Sequence, residues 1–249
     1  MTALSLVPVE LALLAAIAFA AGLVRGFSGF ALSALVMAAA VLILPPKELI
    51  PVCWVLEMTA SLLMVRGGVA EADRRVSLGL AFSSAAGVPL GLWLTTTLPV
   101  DTTRLLALSV LIVLAGLQLA RIRMAFLATN AGLYGSGLIA GIVTGIASIG
   151  GMVVALYVLA QDAPARTMRA SLVLFLFVSS AFSLMWLLGY GVMDGLALRR
   201  GLALAVPVAL GVVLGKLLFR PSLERFYKPF ALCLLIGLAT LSLARTLLG

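Results

Sequence analysis

The sequence predicts an all-α, polytopic membrane protein of two inverted repeats, with broken or re-entrant helices near 25–30 and 144–151. Its composition, its apolar runs and a duplication of short motifs predict this fold class. Of the 249 residues, 63% are hydrophobic and 10% are charged, whereas a soluble domain has about 25% charged residues. Mean hydropathy is +1.25. Because the apolar residues form long runs rather than one stripe, the helices must be surrounded by lipid.

Apolar segments follow one another along the chain, separated by short polar connections. Residues 8–44 would form one helix of about 55 Å, too long for a hydrocarbon core of about 30 Å. The stretch Arg25–Phe30, with two glycines, can break it into two half-helices or two spans, and both return the chain to its starting side. The segments fall at about 8–24, 31–44, 48–65, 76–97, 103–120, 131–147, 150–160, 168–188, 201–219 and 229–247.

Three short motifs of the first half recur in the same order in the second half, which predicts repeats at 1–123 and 124–249 within one transport domain. The offset is 119 residues for the first pair and 124 for the others, so about five residues are inserted near Gly189–Gly195. Three crossings after the broken segment make an odd number per half, and odd repeats are inverted. The pairs are Ala21–Gly26 with Ala140–Gly145, Gly87–Gly91 with Gly211–Gly215, and Leu114–Arg121 with Leu238–Arg245.

The positive charge supports the inverted arrangement. The net charge of +8 lies at the ends of apolar runs, as short cytoplasmic loops require, and not in a patch that would bind nucleic acid. Inverted halves place eleven loop cations on one side and five on the other, which predicts both termini outside the cytoplasm. The larger group is Arg66, Arg74, Arg75, Arg121, Arg123, Arg166, Arg169, Lys216, Arg220, Arg225 and Lys228; the smaller is Lys47, Arg104, Arg199, Arg200 and Arg245.

The cysteines give no sign of a metal site. Cys53 and Cys233 lie 180 positions apart in apolar runs, and metal sites need clustered ligands. We therefore expect no metal, no cofactor and no structural disulfide.

The sequence Arg-Gly-Phe-Ser-Gly-Phe at 25–30 contains the G-x-S-G pattern of some intramembrane proteases. A serine becomes a nucleophile when a neighbouring base removes its proton, and the chain contains no histidine. Its lysines lie at segment ends, and the aspartates at 73, 101, 162 and 194 lie in loops. We expect no enzymatic activity, and we keep an intramembrane enzyme centred on Ser28 as an alternative hypothesis.

Arg25 lies deep within an apolar stretch, where a charge costs at least about 2.5–3.5 kcal/mol at the bilayer centre. Three interpretations remain open: contact with an anion, snorkelling to the interface, and pairing with Glu57. A broken helix exposes backbone N–H groups, and a half-helix that begins there directs its positive end at the break. Gly26 and Gly29 permit close backbone approach, and the Ser28 hydroxyl can donate.

The second half has Thr144-Gly-Ile-Ala-Ser-Ile-Gly-Gly151 at the equivalent place, with Thr144 where the first half has Arg25. Two breaks that meet between inverted repeats form the substrate site of many secondary transporters. Arg169 either lines the cytoplasmic approach to that site or anchors its helix at the interface. Glu57 either carries a proton or forms a salt bridge with Arg25.

Four stretches resemble the sulfite exporter TauE/SafE family: Gly22–Phe30, Leu44–Glu48, the glycine cluster of Thr144–Gly151, and Arg166–Ser171. The resemblance covers nearly the whole chain, including the duplicated halves. It implies a permease of the inner (plasma) membrane that moves small anions such as sulfite or sulfonates. Members often have a glycine pair after the first break, where this chain has Phe30-Ala31-Leu32, and the second half keeps Gly150 and Gly151.

The sequence therefore predicts a secondary transporter of a small organosulfur anion or sulfite. Export of an uncoupled anion by the membrane potential and proton coupling through Glu57 in either direction both remain open. The alternatives are the Ser28 enzyme and a membrane assembly subunit that transports nothing. The predicted substrate site consists of Arg25, Gly26, Ser28, Gly29, Thr144, Gly145, Ser148, Gly150, Gly151 and Arg169.

Overall fold

The computed structural model describes residues 4–65, 70–120, 129–161, 164–218 and 224–248. Within these ranges the regular structure is entirely helical. The predicted loop residues Arg66, Arg121, Arg123, Asp162 and Arg220 lie outside the described residues, as does the boundary between 123 and 124. The helices are α1 (Pro8–Ser28), α2 (Leu32–Ala40), α3 (Pro46–Val65), α4 (Arg74–Thr97), α5 (Val100–Leu119), α6 (Asn130–Ala147), α7 (Gly150–Ala160), α8 (Ala165–Gly189), α9 (Gly195–Leu218) and α10 (Glu224–Leu248).

Eight helices are long and apolar enough to cross a membrane, which confirms the predicted polytopic all-α class for the described residues. The exceptions are α2 and α7, with 9 and 11 residues, which follow the two predicted breaks. At 1.5 Å per residue, each is shorter than a hydrocarbon core of about 30 Å.

Side chains of the polar connections start several helices. Asp73 accepts a hydrogen bond from the Val76 amide at 3.0 Å and caps α4. Thr129 accepts one from the Gly132 amide at 3.0 Å and caps α6. Such caps satisfy amides that have no partner within the helix. The polar residues Asp73 and Thr129 therefore stabilise the starts of α4 and α6.

Helix α9 begins six residues before its predicted apolar segment and includes Arg199 and Arg200. Arg200 is 5% exposed, because it pairs with Glu48 at 2.5 Å and donates to the Leu4 carbonyl oxygen at 2.9 Å. Hydropathy alone predicts a later start, since it counts this paired arginine as a loop residue.

Glycines let two pairs of helices approach closely. An added Cβ at Gly22 of α1 would lie 2.6 Å from the Val208 carbonyl oxygen of α9. At Gly145 of α6 it would lie 2.5 Å from the Leu92 nitrogen of α4. Small residues at these positions therefore let the backbones of neighbouring helices pack closely.

The register of these contacts gives the helix directions. Along α1 and α9, Gly22 lies against Val208 and Gly26 lies against Gly215, so both helices run the same way. Along α3 and α9, Val55 lies against Gly201, and Lys216 donates to the Leu63 carbonyl oxygen. Helices α1, α3 and α9 therefore run parallel to one another.

Helices α4, α6 and α8 form a second parallel group, shown by the register of their contacts. Along α6 and α4, Gly137 lies near Leu80 and Gly145 lies near Leu92. Along α8 and α4, Ser171 accepts from Ser77 through its carbonyl oxygen, and the hydroxyls of Ser179 and Ser84 lie 3.4 Å apart. Helices α4, α6 and α8 therefore run parallel to one another.

The connection between α8 and α9 is residues 190–194. It spans at most about 20 Å when extended and cannot recross a core of about 30 Å, so α9 runs opposite to α8. Equivalent helices of the two halves then run in opposite directions. We propose on this basis that the halves, divided near residue 123, form an inverted repeat.

Candidate functional site

Arg25 lies in the last turn of α1 and is fully buried, with 0% of its surface exposed. Its Nη2 lies 3.3 Å from Oε2 of Glu57 on α3, and it also lies 3.4 Å from the Ser61 hydroxyl. Its Nη1 donates to the Gly29 carbonyl oxygen. The guanidinium thus connects the end of α1 to the middle of α3 and has the Glu57 carboxylate as its counterion.

The other oxygen of Glu57 lies at the start of α2. Oε1 accepts from the Ser33 amide at 3.2 Å and from the Ser33 hydroxyl at 2.8 Å. Ser33 belongs to the first turn of α2, where amides lack helical partners and the helix dipole favours a negative charge. The position that a bound anion would take at the first break is therefore occupied by the protein's own carboxylate.

The remaining residues of the first break shape its turn. The Ser28 hydroxyl donates to the Phe30 carbonyl oxygen at 2.8 Å, and the Phe30 amide lies 3.3 Å from the same hydroxyl oxygen. Gly29 has φ +83 and Ala31 has φ +73, both left-handed. A glycine adopts this conformation freely, whereas an alanine is strained in it.

Arg169 reaches the first break from the other half of the chain. From α8 it donates to the Gly26 carbonyl oxygen at 2.5 Å. Its Cγ lies 3.0 Å from where a Cβ on Gly29 would be. The side chain therefore covers the turn, and a larger residue at Gly29 would have to displace it.

The second break lies between α6 and α7, at Ser148 and Ile149. Ser148 has φ +59, and its amide donates to the Thr144 carbonyl oxygen at 2.8 Å. Gly150 lies against the end of α6, since an added Cβ there would overlap Thr144. Gly29 and Ser148 stand 119 positions apart, the offset of the sequence repeat.

A cavity adjoins the second break. About 40 Å³ of it is open to the centres of water molecules. Its lining residues belong to α3, α4, α6, α7 and α8 and to the break itself. The lining residues are Ile50, Trp54, Glu57, Val88, Leu92, Thr144, Gly145, Ser148, Gly150, Gly151, Phe175, Leu176, Ser179, Ser180, Ser183 and Leu187.

The family model described as Sulfite exporter TauE/SafE matches residues 14–242 of the chain. This chain belongs to the TauE/SafE family. The family consists of sulfite and organosulfur exporters, which are transporters and not enzymes. Neither the comparison with curated proteins nor the comparison with solved structures gave a match.

In this TauE/SafE member, the predicted site residues fall into two groups. The second-half residues Thr144, Gly145, Ser148, Gly150 and Gly151 line the cavity. The predicted first-half residues and Arg169 surround the first break and are not among the lining residues of this cavity. Glu57 joins the two groups, because it lines the cavity and also contacts Arg25.

Three serines of α8 also line the cavity, and the sequence analysis did not select them. They are Ser179, Ser180 and Ser183. Their spacing within an otherwise apolar helix puts them on one face and was a usable signal. Ser180 also accepts a hydrogen bond through its carbonyl oxygen from the indole N–H of Trp54 at 2.7 Å.

The two halves differ in charge at equivalent positions. At the offset of 119, Arg25 corresponds to Thr144, and Glu57 corresponds to Leu176. Leu176 packs at the start of α7, where a Cβ on Gly151 would lie 3.1 Å from its Cδ2. In this family member the first break therefore contains an internal ion pair, whereas the second has neither charge.

Proposed function

We propose that this chain is a secondary transporter that moves a small anion, sulfite or an organosulfur anion such as a sulfonate, across the membrane. The cavity beside the second break is the substrate site. The observation that carries this proposal is that a cavity able to hold a few water molecules, a helix break and a set of hydroxyl groups occur together. Secondary transporters commonly bind substrate where discontinuous helices of two repeats meet.

The cavity has donors suited to an anion. Ser148, Ser179 and Ser180 line it, and each hydroxyl can donate one hydrogen bond. Gly150 and Gly151 form the first turn of α7, where backbone N–H groups have no helical acceptor and the dipole is positive. The site thus offers hydrogen bonds and a partial positive charge, and Leu176 leaves the start of α7 without an internal carboxylate.

The size of the cavity favours a small substrate. The space open to the centres of water molecules is about 40 Å³, so the cavity holds a few water molecules. A dehydrated oxyanion of one sulfur atom is of that order, whereas a nucleotide or a peptide is far larger. We assign Arg25 the role of supplying positive charge behind Glu57. Gly26, Ser28, Gly29 and Arg169 stabilise the turn of the first break.

We place the protein in the inner (plasma) membrane with both termini outside. The lining residues extend from the middle of α3 toward Ile50 near its start and Leu187 near the end of α8. Both ends belong to the side of Lys47, Arg199 and Arg200, the predicted outer side. With an inside-negative potential, outward movement of one net negative charge is favoured by about 2.3 kcal/mol per 100 mV. This term favours export of an anion that crosses with at least one uncompensated negative charge.

Binding and flux assays test the proposal together. Purified protein is screened by thermal unfolding with sulfite, thiosulfate and methanesulfonate, with chloride as reference. A ligand at 100 times its Kd stabilises by about 2.7 kcal/mol, which corresponds to a rise in Tm of about 5–10 °C. The ligand that raises Tm must then leave loaded proteoliposomes faster than it leaves protein-free liposomes.

Ser148→Gly is the informative variant, because it removes a cavity hydroxyl while keeping the left-handed backbone. We expect it to reduce the anion-dependent rise in Tm. Thr96→Ala is the matched control, since Thr96 bonds only within α4 and is not among the lining residues. If no anion changes Tm or flux, the protein is not the proposed transporter, and an assembly subunit becomes the better hypothesis.

A further inference from the structure

Among the described residues that line the cavity, Glu57 is the one ionisable group. Its carboxylate stands between that cavity and Arg25, which is buried behind it at 3.3 Å. The side chain of Glu57 is 10% exposed. An anion in the cavity therefore meets the carboxylate before the guanidinium.

The local charges allow one anion at a time. Arginine stays protonated in proteins, so Arg25 needs one negative counterion in its buried position. Glu57 supplies that charge when it is ionised, and it then repels a second anion from the cavity. A protonated Glu57 leaves the arginine without a counterion, and a bound anion restores the balance.

Other groups around Glu57 do not supply a second fixed charge at the cavity. From α1 it faces Arg25, from α2 it faces Ser33, and one turn earlier on α3 lies the Cys53 thiol. From α8, Arg169 reaches the first break at Gly26. The α6, α7 and α4 residues of the lining carry no ionisable group.

We propose that Glu57 takes up a proton when the substrate anion binds, so that anion and proton cross the membrane together. The anion replaces the carboxylate as the counterion of Arg25. The proton comes from water on the side where the anion enters, resides on the Glu57 carboxyl, and returns to water on the other side when the anion leaves and the Arg25 pair forms again. This inference rests on the proposed function and adds its coupling ion.

Methanesulfonate and thiosulfate are the probes, because both keep their charge between pH 5 and 8 and any pH dependence then comes from the protein. With a pH gradient across the membrane, proteoliposomes with wild-type protein should accumulate methanesulfonate on the alkaline side. One proton per monovalent anion gives up to about a tenfold concentration ratio per pH unit, since about 1.4 kcal/mol is a factor of ten.

Glu57→Gln keeps a neutral, protonated-like side chain at the site. We expect this variant to exchange labelled methanesulfonate for unlabelled methanesulfonate at a rate that does not vary between pH 5 and 8. Accumulation driven by the pH gradient should fall to a ratio of one. Asp101→Asn is the control, because it removes an exposed carboxylate from a surface pair with Arg104, and it should retain the wild-type accumulation.

Proton uptake on binding gives a measurement that does not depend on a variant. When wild-type protein in weakly buffered detergent solution near neutral pH is mixed with the probe, a pH dye should report about one proton taken up per anion bound. Gradient-driven accumulation in Glu57→Gln, or anion binding without proton uptake, would overturn this inference and leave the proposed transport intact. Absence of exchange in wild type with both probes and with sulfite would instead refute the transport proposal itself.

Discussion

Replacement of Gly145 by alanine tests whether the contact between α4 and α6 positions the second break. A Cβ at Gly145 would lie 2.5 Å from the Val88 carbonyl oxygen, 2.5 Å from the Leu92 nitrogen and 2.7 Å from the Gly91 carbonyl carbon. Ordinary contacts of a Cβ begin near 3.4 Å, so the helices must separate locally by about 1 Å. All three atoms belong to helix backbone and cannot rotate away.

The expected loss of stability follows from two opposing terms. Overpacking of this kind costs about 1–3 kcal/mol, and rigid backbone neighbours favour the upper end. Alanine is better than glycine inside a helix by about 1 kcal/mol. The net destabilisation is about 2 kcal/mol, or a decrease in Tm of about 4–8 °C for a chain of this length.

Gly135→Ala is the matched control, because it makes the same substitution in the same helix. An added Cβ at Gly135 meets nothing within 4 Å, so this variant should be as stable as wild type or slightly more stable. Thermal unfolding of both variants in one detergent makes the comparison. Equal Tm values for the two variants would refute the close contact, and a loss of anion binding by Gly145→Ala without a decrease in Tm would favour a direct role in binding the substrate.

Three further perturbations have defined outcomes. Ala31→Gly should raise stability by about 1 kcal/mol, because it removes left-handed strain at φ +73. The control Ala38→Gly, within α2, should lower stability. If both variants change Tm equally in thermal unfolding, the turn at Ala31 is not strained. Arg25→Met should destabilise the protein by about 3–5 kcal/mol, because it leaves the Glu57 carboxylate buried without its counterion. In unfolding measurements, the double variant Arg25→Met with Glu57→Gln should recover much of that loss. If the stability losses of the two single variants simply add in the double variant, the pairing is contradicted. Trp54 lines the cavity, so an anion that raises Tm should also change the tryptophan fluorescence. Trp54→Phe should lose that change. If the variant still shows the wild-type fluorescence change, the anion binds elsewhere.

Much of the fold was predictable from the sequence because membrane helices depend on local composition. Each helix of the described residues corresponds to a predicted apolar segment, with different ends. The breaks were predictable as well, since Gly29 and Gly150 lie where long apolar runs would otherwise form overlong helices. The start of α9 was predicted too late because the pairing of Arg200 with Glu48 depends on residues 152 positions apart.

The position of the cavity was not predictable by the same means. Arg25 was the visible signal in the sequence, and it directed attention to the first break. Pairing with Glu57, 32 positions away, was one of three interpretations of the sequence, and the fold places the two side chains 3.3 Å apart. The spacing of Ser179, Ser180 and Ser183 could have marked one polar face of α8, but only the fold shows that this face lines the cavity beside the second break.

The difference between the two breaks explains how one arginine can serve a site built from two similar halves. If both halves kept the arginine and the carboxylate, each half-helix would begin against an internal anion, and neither would have a free position for substrate. If neither half kept them, the cavity would have hydroxyl groups and helix ends but no full positive charge. With Thr144 and Leu176 in place of the pair, the start of α7 has no internal carboxylate against it, while Glu57 lines the cavity and Arg25 pairs with it from behind. In the mechanism that we propose, exchange of the internal carboxylate for the substrate anion then needs one proton, and only the half with the Arg25–Glu57 pair carries out that exchange.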